Sequence, residues 1–245
     1  MQRRLAPLFL LLTCPTVLAL LSAGAIAEDK APSTVVPVPR DGGWMNRHQS
    51  FNERVKKGNV DLLLIGDSIT QGWEGAGKEA WAKHYDKRNA VNLGIGGDRT
   101  QHVLWRLDNG NVEGISPKLA VLMIGTNNSN GTDNTAEEIG AGITAIVKKL
   151  REKLPQTKVL ILAVFPRDEK PTPRREKNAK ASEIASKLAD NQNVFYLDIG
   201  SKFLTPDGLL TKDIMPDYLH LSPQGYTIWA EAIEPKVTEL MGEKK

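Results

Sequence analysis

Four short segments hold residue types that could carry acyl-transfer chemistry. Gly66-Asp67-Ser68-Ile69 places a serine directly after a glycine and an acid. A serine hydroxyl becomes a useful nucleophile only when a base stands beside it. Asp217-Tyr218-Leu219-His220 supplies an acid and an imidazole three residues apart, where one turn brings both side chains to the same side. The acid can then fix the ring tautomer and stabilise the imidazolium. Asn92-Leu93-Gly94-Ile95-Gly96-Gly97-Asp98 offers backbone that can approach a ligand closely, and an exposed glycine N–H there could hold an oxyanion. Gly125-Thr126-Asn127-Asn128 can present a side-chain NH₂. Each segment has a plainer reading. Gly-Asp-Ser also suits a turn with serine as a helix cap. The glycines suit a tight turn, and the asparagines an Asx-turn. His48, His84 and His102 lack a carboxylate at the spacing seen for His220 and are read as structural.

The elements around these segments must bring them to one place. Five short runs are almost continuously apolar: residues 61–66, 90–95, 119–125, 158–165 and 194–199. Such runs fit parallel strands covered on both faces. Helical segments lie between them, at residues 100–107, 135–154, 173–188 and 223–241. The third of these begins at Pro173; the last has Ser222 as its N-cap and Pro223 at its first position. The alternation predicts a three-layer αβα, doubly wound, five-stranded parallel sheet of the flavodoxin-like kind. Ligands bind such sheets beyond the carboxyl ends of the strands. Three of the four segments follow directly on strands, and the fourth precedes the last helix.

Composition narrows the function. The 245 residues are 40% hydrophobic and 25% charged, ordinary for a globular protein. Arg3 and Arg4, an apolar stretch from Leu5 to Leu21, and Ala25-Ile26-Ala27 ahead of Glu28 and Asp29 read as a cleaved signal peptide over residues 1–27. That makes a secreted or periplasmic location the expectation. Residues 28–43, rich in Pro, Ser, Thr and Gly, read as an extended or disordered arm, and 44–245 as one catalytic domain. The only cysteine, Cys14, would leave with the leader, so no disulfide or thiolate metal site is expected. Loss of Arg3 and Arg4, the only charged residues before position 28, lowers the net charge by two, from +3 to +1. No basic stripe points to nucleic acid, and no later stretch is apolar for long enough to insert stably in a membrane. Arg99 spoils the G-x-G-x-x-G spacing of a dinucleotide site.

Taken together, GDSIT, GIGGD, GTNN and DYLHLS resemble the four blocks of the SGNH (GDSL-type) hydrolase superfamily. Within it, LGIGGDRTQHVLWRLDNGNVEGISPK and PTPRREKN are most similar to the catalytic alpha subunits of platelet-activating factor acetylhydrolase Ib. That likeness runs from about Trp44 to the C-terminus. It implies Ser68 as nucleophile, His220 as general base and then acid, and Asp217 as its orienting partner. It implies an oxyanion hole of the Ser68 N–H, the Gly97 N–H and the Asn127 side chain. Ile69, Thr126 and Leu219 would flank the acyl pocket, and no metal or organic cofactor is implied. Many superfamily members have Asp after the Asn of the third block; the acetylhydrolase branch shares Asn128. A leader peptide departs from the intracellular mammalian enzymes and favours a carbohydrate or other small O-acetylated ester as substrate. A phospholipid-directed acetylhydrolase or lysophospholipase and a non-catalytic binding module are the alternatives. The resemblance also makes a homodimer an expectation.

Overall fold

The computed structural model describes residues 31–244; the leader read at residues 1–27 lies outside them. Five strands form one sheet: β1 (Leu62–Gly66), β2 (Ala90–Gly94), β3 (Leu119–Met123), β4 (Lys158–Leu162) and β5 (Val194–Leu197). All pairs are parallel and the order is β2-β1-β3-β4-β5. Side chains alternate between the two faces, as the strand period requires. Leu63, Ile65, Ala120, Leu122, Val159 and Ile161 enter one core, and Leu62, Leu64, Val121, Leu160 and Leu162 the other. This is why the strands read as unbroken apolar runs.

The helices are α1 (Gly43–Lys56), α2 (Ser68–Gln71), α3 (Lys78–His84), α4 (Thr100–Asp108), α5 (Ala136–Lys153), α6 (Pro173–Ser186) and α7 (Pro223–Met241). Buried residues of α1, α4, α5 and α6 cover the first face; those of α2, α3 and α7 cover the second. The three-layer αβα class holds. Strands β3 and β4 end earlier than the apolar runs suggest. Residues 163–165 stay buried past the last ladder partner, Leu162.

Helix α1 carries no element in the sequence reading. Its buried stripe is Trp44, His48, Phe51 and Val55, a helical spacing with a histidine among the apolar residues. His48 is satisfied there by Asn52 at 3.2 Å and Asn111 at 3.1 Å. Residues 31–42 are not a disordered arm. Ser33–Val35 forms a 3₁₀ turn, and Thr34 is fully buried. Thr34 Oγ1 donates to the Glu138 carbonyl at 2.6 Å, and Thr34 O accepts from Thr100 Oγ1 at 2.9 Å. The Val38 N–H donates to Gln101 O at 3.3 Å. The domain therefore begins ahead of Trp44.

Strand order reverses between β1 and β3: the connection from β1 runs to β2 on one side, and that from β3 to β4 on the other. A crevice opens at the carboxyl ends of strands that flank such a switch point. Ser68 follows β1 and Asn127 follows β3.

Candidate active site

Ser68 is the first residue of α2, one position after Asp67 caps that helix by accepting from the Ile69 N–H at 3.0 Å. The helix starts so abruptly that it packs on bare backbone. A Cβ on Gly66 would lie 2.1 Å from Thr70 Oγ1 and 2.4 Å from Met123 O. The Ser68 N–H, at the helix start, has no intrahelical acceptor.

The Ser68 hydroxyl lies 2.9 Å from His220 Nε2, and His220 Nδ1 lies 2.7 Å from Asp217 Oδ2. With a carboxylate at Nδ1 the proton sits on that nitrogen, so Nε2 is free to accept from the serine. Asp217 Oδ1 accepts from the amides of Leu219 at 3.0 Å and His220 at 2.7 Å. Burial raises the Asp217 carboxyl, but these bonds and the imidazole outweigh it and leave the pKa below the usual range. The Asp217–His220 segment is a turn in which Tyr218 adopts φ 59°. The Asp168 N–H donates to Tyr218 O at 2.8 Å and holds that turn. The side chains of His220 and Asp217 are 44% and 56% exposed, so the site is open.

Gly97, at φ 76°, follows β2. Its N–H has no acceptor among the described residues, whereas Gly96 N donates to Gln71 Oε1 at 2.7 Å and Asp98 N to Ile95 O at 3.1 Å. Asp98 is wholly buried and anchors the turn: it accepts from Trp44 Nε1 at 2.6 Å and from Arg106 Nε at 2.9 Å. Asn127 Nδ2 donates to Asp98 O at 2.9 Å and sits a long 3.4 Å from Asp67 Oδ2. Its neighbour Asn128 points into the core and ties α4 to the turn through Thr100 N, at 3.0 Å, and Gln101. Serine hydroxyl, imidazole, carboxylate and amide donors from four distant segments thus meet at one end of the sheet. The set can take a proton from a hydroxyl and hold it on a ring nitrogen.

The three residues expected around the acyl pocket fall unequally. Ile69 is buried in the core, and its carbonyl accepts from Tyr226 Oη at 2.5 Å. Thr126 is buried under Arg167, whose Nη1 donates to Thr126 O at 2.9 Å and to Asn130 Oδ1 at 3.0 Å. Leu219 alone keeps a partly exposed side chain. His84 and His102 lie outside the site: His84 pairs with Glu234, and the His102 ring accepts from Arg99 N. Sequence reasoning missed Asp67, Arg40 and Arg167. Asp67 sits inside a recognised motif, but its complete burial follows only from the packing of α2. Arg40 and Arg167 carried no local signal. Among the described residues no His/Cys/Asp/Glu group could hold a metal ion, and no helix is long and apolar enough to cross a membrane.

Residues 64–228 match the model of the GDSL-like Lipase/Acylhydrolase family. The chain is 39% identical over 213 residues to the human platelet-activating factor acetylhydrolase IB subunit alpha1, covering 86% of this chain and 90% of that one. It is equally identical to the rat alpha2 subunit, over 86% of this chain and 91% of that one. Among solved structures, a GDSL-like lipase from Bacteroides thetaiotaomicron superposes with a TM-score of 0.61 at 20% identity, covering 79% of this chain and 97% of that one. A carbohydrate acetylesterase from Sinorhizobium meliloti gives 0.55 at 22%, with 74% and 99% covered. At these identities the structures speak for the fold, and the family model and the curated relatives for the lineage. The chain belongs to the GDSL-like lipase/acylhydrolase family and is a carboxylic ester hydrolase.

Proposed function

We propose that this protein hydrolyses short-chain esters, acetyl above all, through Ser68, His220 and Asp217. The observation that carries the reading is the continuous hydrogen-bond chain Ser68 Oγ–His220 Nε2–Nδ1–Asp217 Oδ2, at 2.9 and 2.7 Å. Ser68 attacks the ester carbonyl as His220 takes its proton, and Asp217 holds the imidazolium. The oxyanion is received by the N–H groups of Ser68 and Gly97 and by Asn127 Nδ2, which gives up its long bond to Asp67. His220 returns the proton to the leaving alcohol. Water, activated by the same ring, then attacks the acyl-serine and frees the acid.

An acetyl group is the substrate element common to the names of the similar acetylhydrolase subunits and the carbohydrate acetylesterase of like fold. Beside Ser68 and Asn127, Ile69 and Thr126 are buried and Leu219 is part-exposed, which supports a small acyl group. Exposed large hydrophobic residues among the described ones are Val36, Val38 and Leu209, little apolar surface for an enzyme that works on lipid. A sugar or other small O-acetylated alcohol is therefore the favoured substrate. Export, with cleavage after Ala27, is part of the same reading and is checked by the mass of the protein recovered outside the cytoplasm. The first assay is p-nitrophenyl acetate hydrolysis by residues 28–245, beside Ser68→Ala. Loss of turnover in the variant is expected; equal rates would refute the reading. A chain-length series should favour acetate over octanoate.

A further inference from the structure

The Gly97 N–H belongs to the same peptide group as the Gly96 carbonyl. A trans peptide is planar, with its C=O and N–H on opposite sides, so whatever grips the oxygen aims the hydrogen. This peptide lies between two glycines, and Gly97 stands at φ 76°. With no Cβ at either end, little local resistance opposes turning the plane over. Turned over, it would present a carbonyl oxygen where the oxyanion needs a donor.

Among the described residues, one group bonds the Gly96 oxygen. Arg40 Nη1 donates to it at 2.8 Å and lies 3.3 Å from Asp98 Oδ1. A side chain at position 97 would meet both terminal nitrogens of Arg40 at 3.3 Å, so the guanidinium covers this turn. Arg40 comes from the segment preceding α1, which is fastened by Thr34 to Glu138 and Thr100 and by Val38 to Gln101. The partner of Thr34, Thr100, in turn donates its N–H to Asn128, beside Asn127.

We propose that Arg40 is a positioning residue for the oxyanion hole, and that residues 31–42 form a strap that makes the hole competent. Arg40 fixes the plane of the Gly96–Gly97 peptide with its N–H turned away from the strap. Its charge-assisted bond also draws electron density toward the carbonyl oxygen, which strengthens the N–H as a donor while charge develops on the substrate. The inference rests on the assignment of Gly97 to the hole and of Ser68 as nucleophile.

The test is steady-state hydrolysis of p-nitrophenyl acetate by Arg40→Met, with Asn127→Ala and Ser68→Ala as references. Outright loss of one oxyanion donor costs about 10²–10³ in turnover, and a misaimed donor should cost less. Arg40→Met is expected to lower kcat by roughly tenfold to a hundredfold with KM within about twofold, the split that marks an interaction made only in the transition state. Millimolar guanidinium should restore part of that kcat and leave the parent unaffected, which a purely structural role would not give. Should the methionine variant fail to fold, Arg40→Ala, which also lacks a donor, takes its place with the same expectations. A kcat near the parent's, while Asn127→Ala shows its full loss, would overturn the role of Arg40 and leave the hole standing. A change confined to KM would also overturn it, by making Arg40 a substrate contact. Full activity in Ser68→Ala would remove the esterase reading and this inference with it.

Discussion

Asp67 should make the protein lose stability as the pH rises through the neutral range. Its carboxyl is fully buried, with a backbone N–H on one oxygen and the distant Asn127 amide near the other. Burial raises its pKa from 3.8 to about 7, the nearby Asp98 charge adds to this, and the Ile69 hydrogen bond and His220 oppose it. Below pH 4 the group is protonated in both folded and unfolded chains and contributes no slope. Between 4 and 7 the unfolded chain ionises while the fold retains the proton. The native state then binds more protons, and stability falls with increasing pH until both states are ionised. At about 1.36 kcal/mol for each step of pH between 3.8 and about 7, the total is near 4 kcal/mol. Asp67→Asn still offers an oxygen to the Ile69 N–H but cannot ionise. Urea unfolding followed by the fluorescence of the buried Trp73 and Trp229 gives the free energies of parent and variant from pH 4 to 8. The variant should gain on the parent by about 4 kcal/mol across that range, since other titrating groups are common to both. Parallel curves would refute the reasoning, because they would mean that Asp67 ionises at the same pH in both states.

Three further outcomes follow from the geometry. Asp217→Asn keeps the shape but can leave His220 in the wrong tautomer, and p-nitrophenyl acetate turnover should drop by about 10²–10⁴ with little change in KM. Arg106→Met takes from the wholly buried Asp98 carboxylate its one buried cation, at 2.9 Å, and leaves it Trp44 and the more exposed Arg40; urea titration should show a loss of about 3 kcal/mol. Gly66→Ala forces a methyl to within 2.4 Å of the Met123 carbonyl, a backbone atom that cannot step aside. That variant should be recovered unfolded, as read by circular dichroism, whereas Gly43→Ala, with open space around it and no left-handed backbone, should fold.

The parallel sheet was legible because burial on both faces leaves no polar alternation to confuse with a helix. The four loops were legible because three follow strands and the fourth precedes the last helix, and because each holds residue types with chemistry to offer. Helix α1 escaped because its inward stripe contains His48, whose polarity is met by Asn52 and by Asn111 from far along the chain. The segment before α1 escaped for a related reason. A stretch rich in Pro, Ser, Thr and Gly reads as an extended or disordered arm, yet Thr34 is held by Glu138, 104 positions away. No local window contains that bond. Arg40 and Arg167 are ordinary surface residues by type, and only the fold brings one against the Gly96 carbonyl and the other against that of Thr126. The strand ends were placed too late where apolar residues continue past the ladder, as at Ala163, Val164 and Phe165.

Ser68 and His220, the proposed nucleophile and base, stand 152 positions apart, and α7 joins their two segments through the Tyr226 hydroxyl, which donates to the Ile69 carbonyl. A chain still emerging from the ribosome therefore carries its serine long before it owns an imidazole to activate it. On the proposed mechanism, ester cleavage waits until the segment that carries His220 has come in against the end of β1. Turnover would then report on the docking of α7 as much as on the chemistry, because that helix follows His220 directly and is held to Ile69, the residue after Ser68.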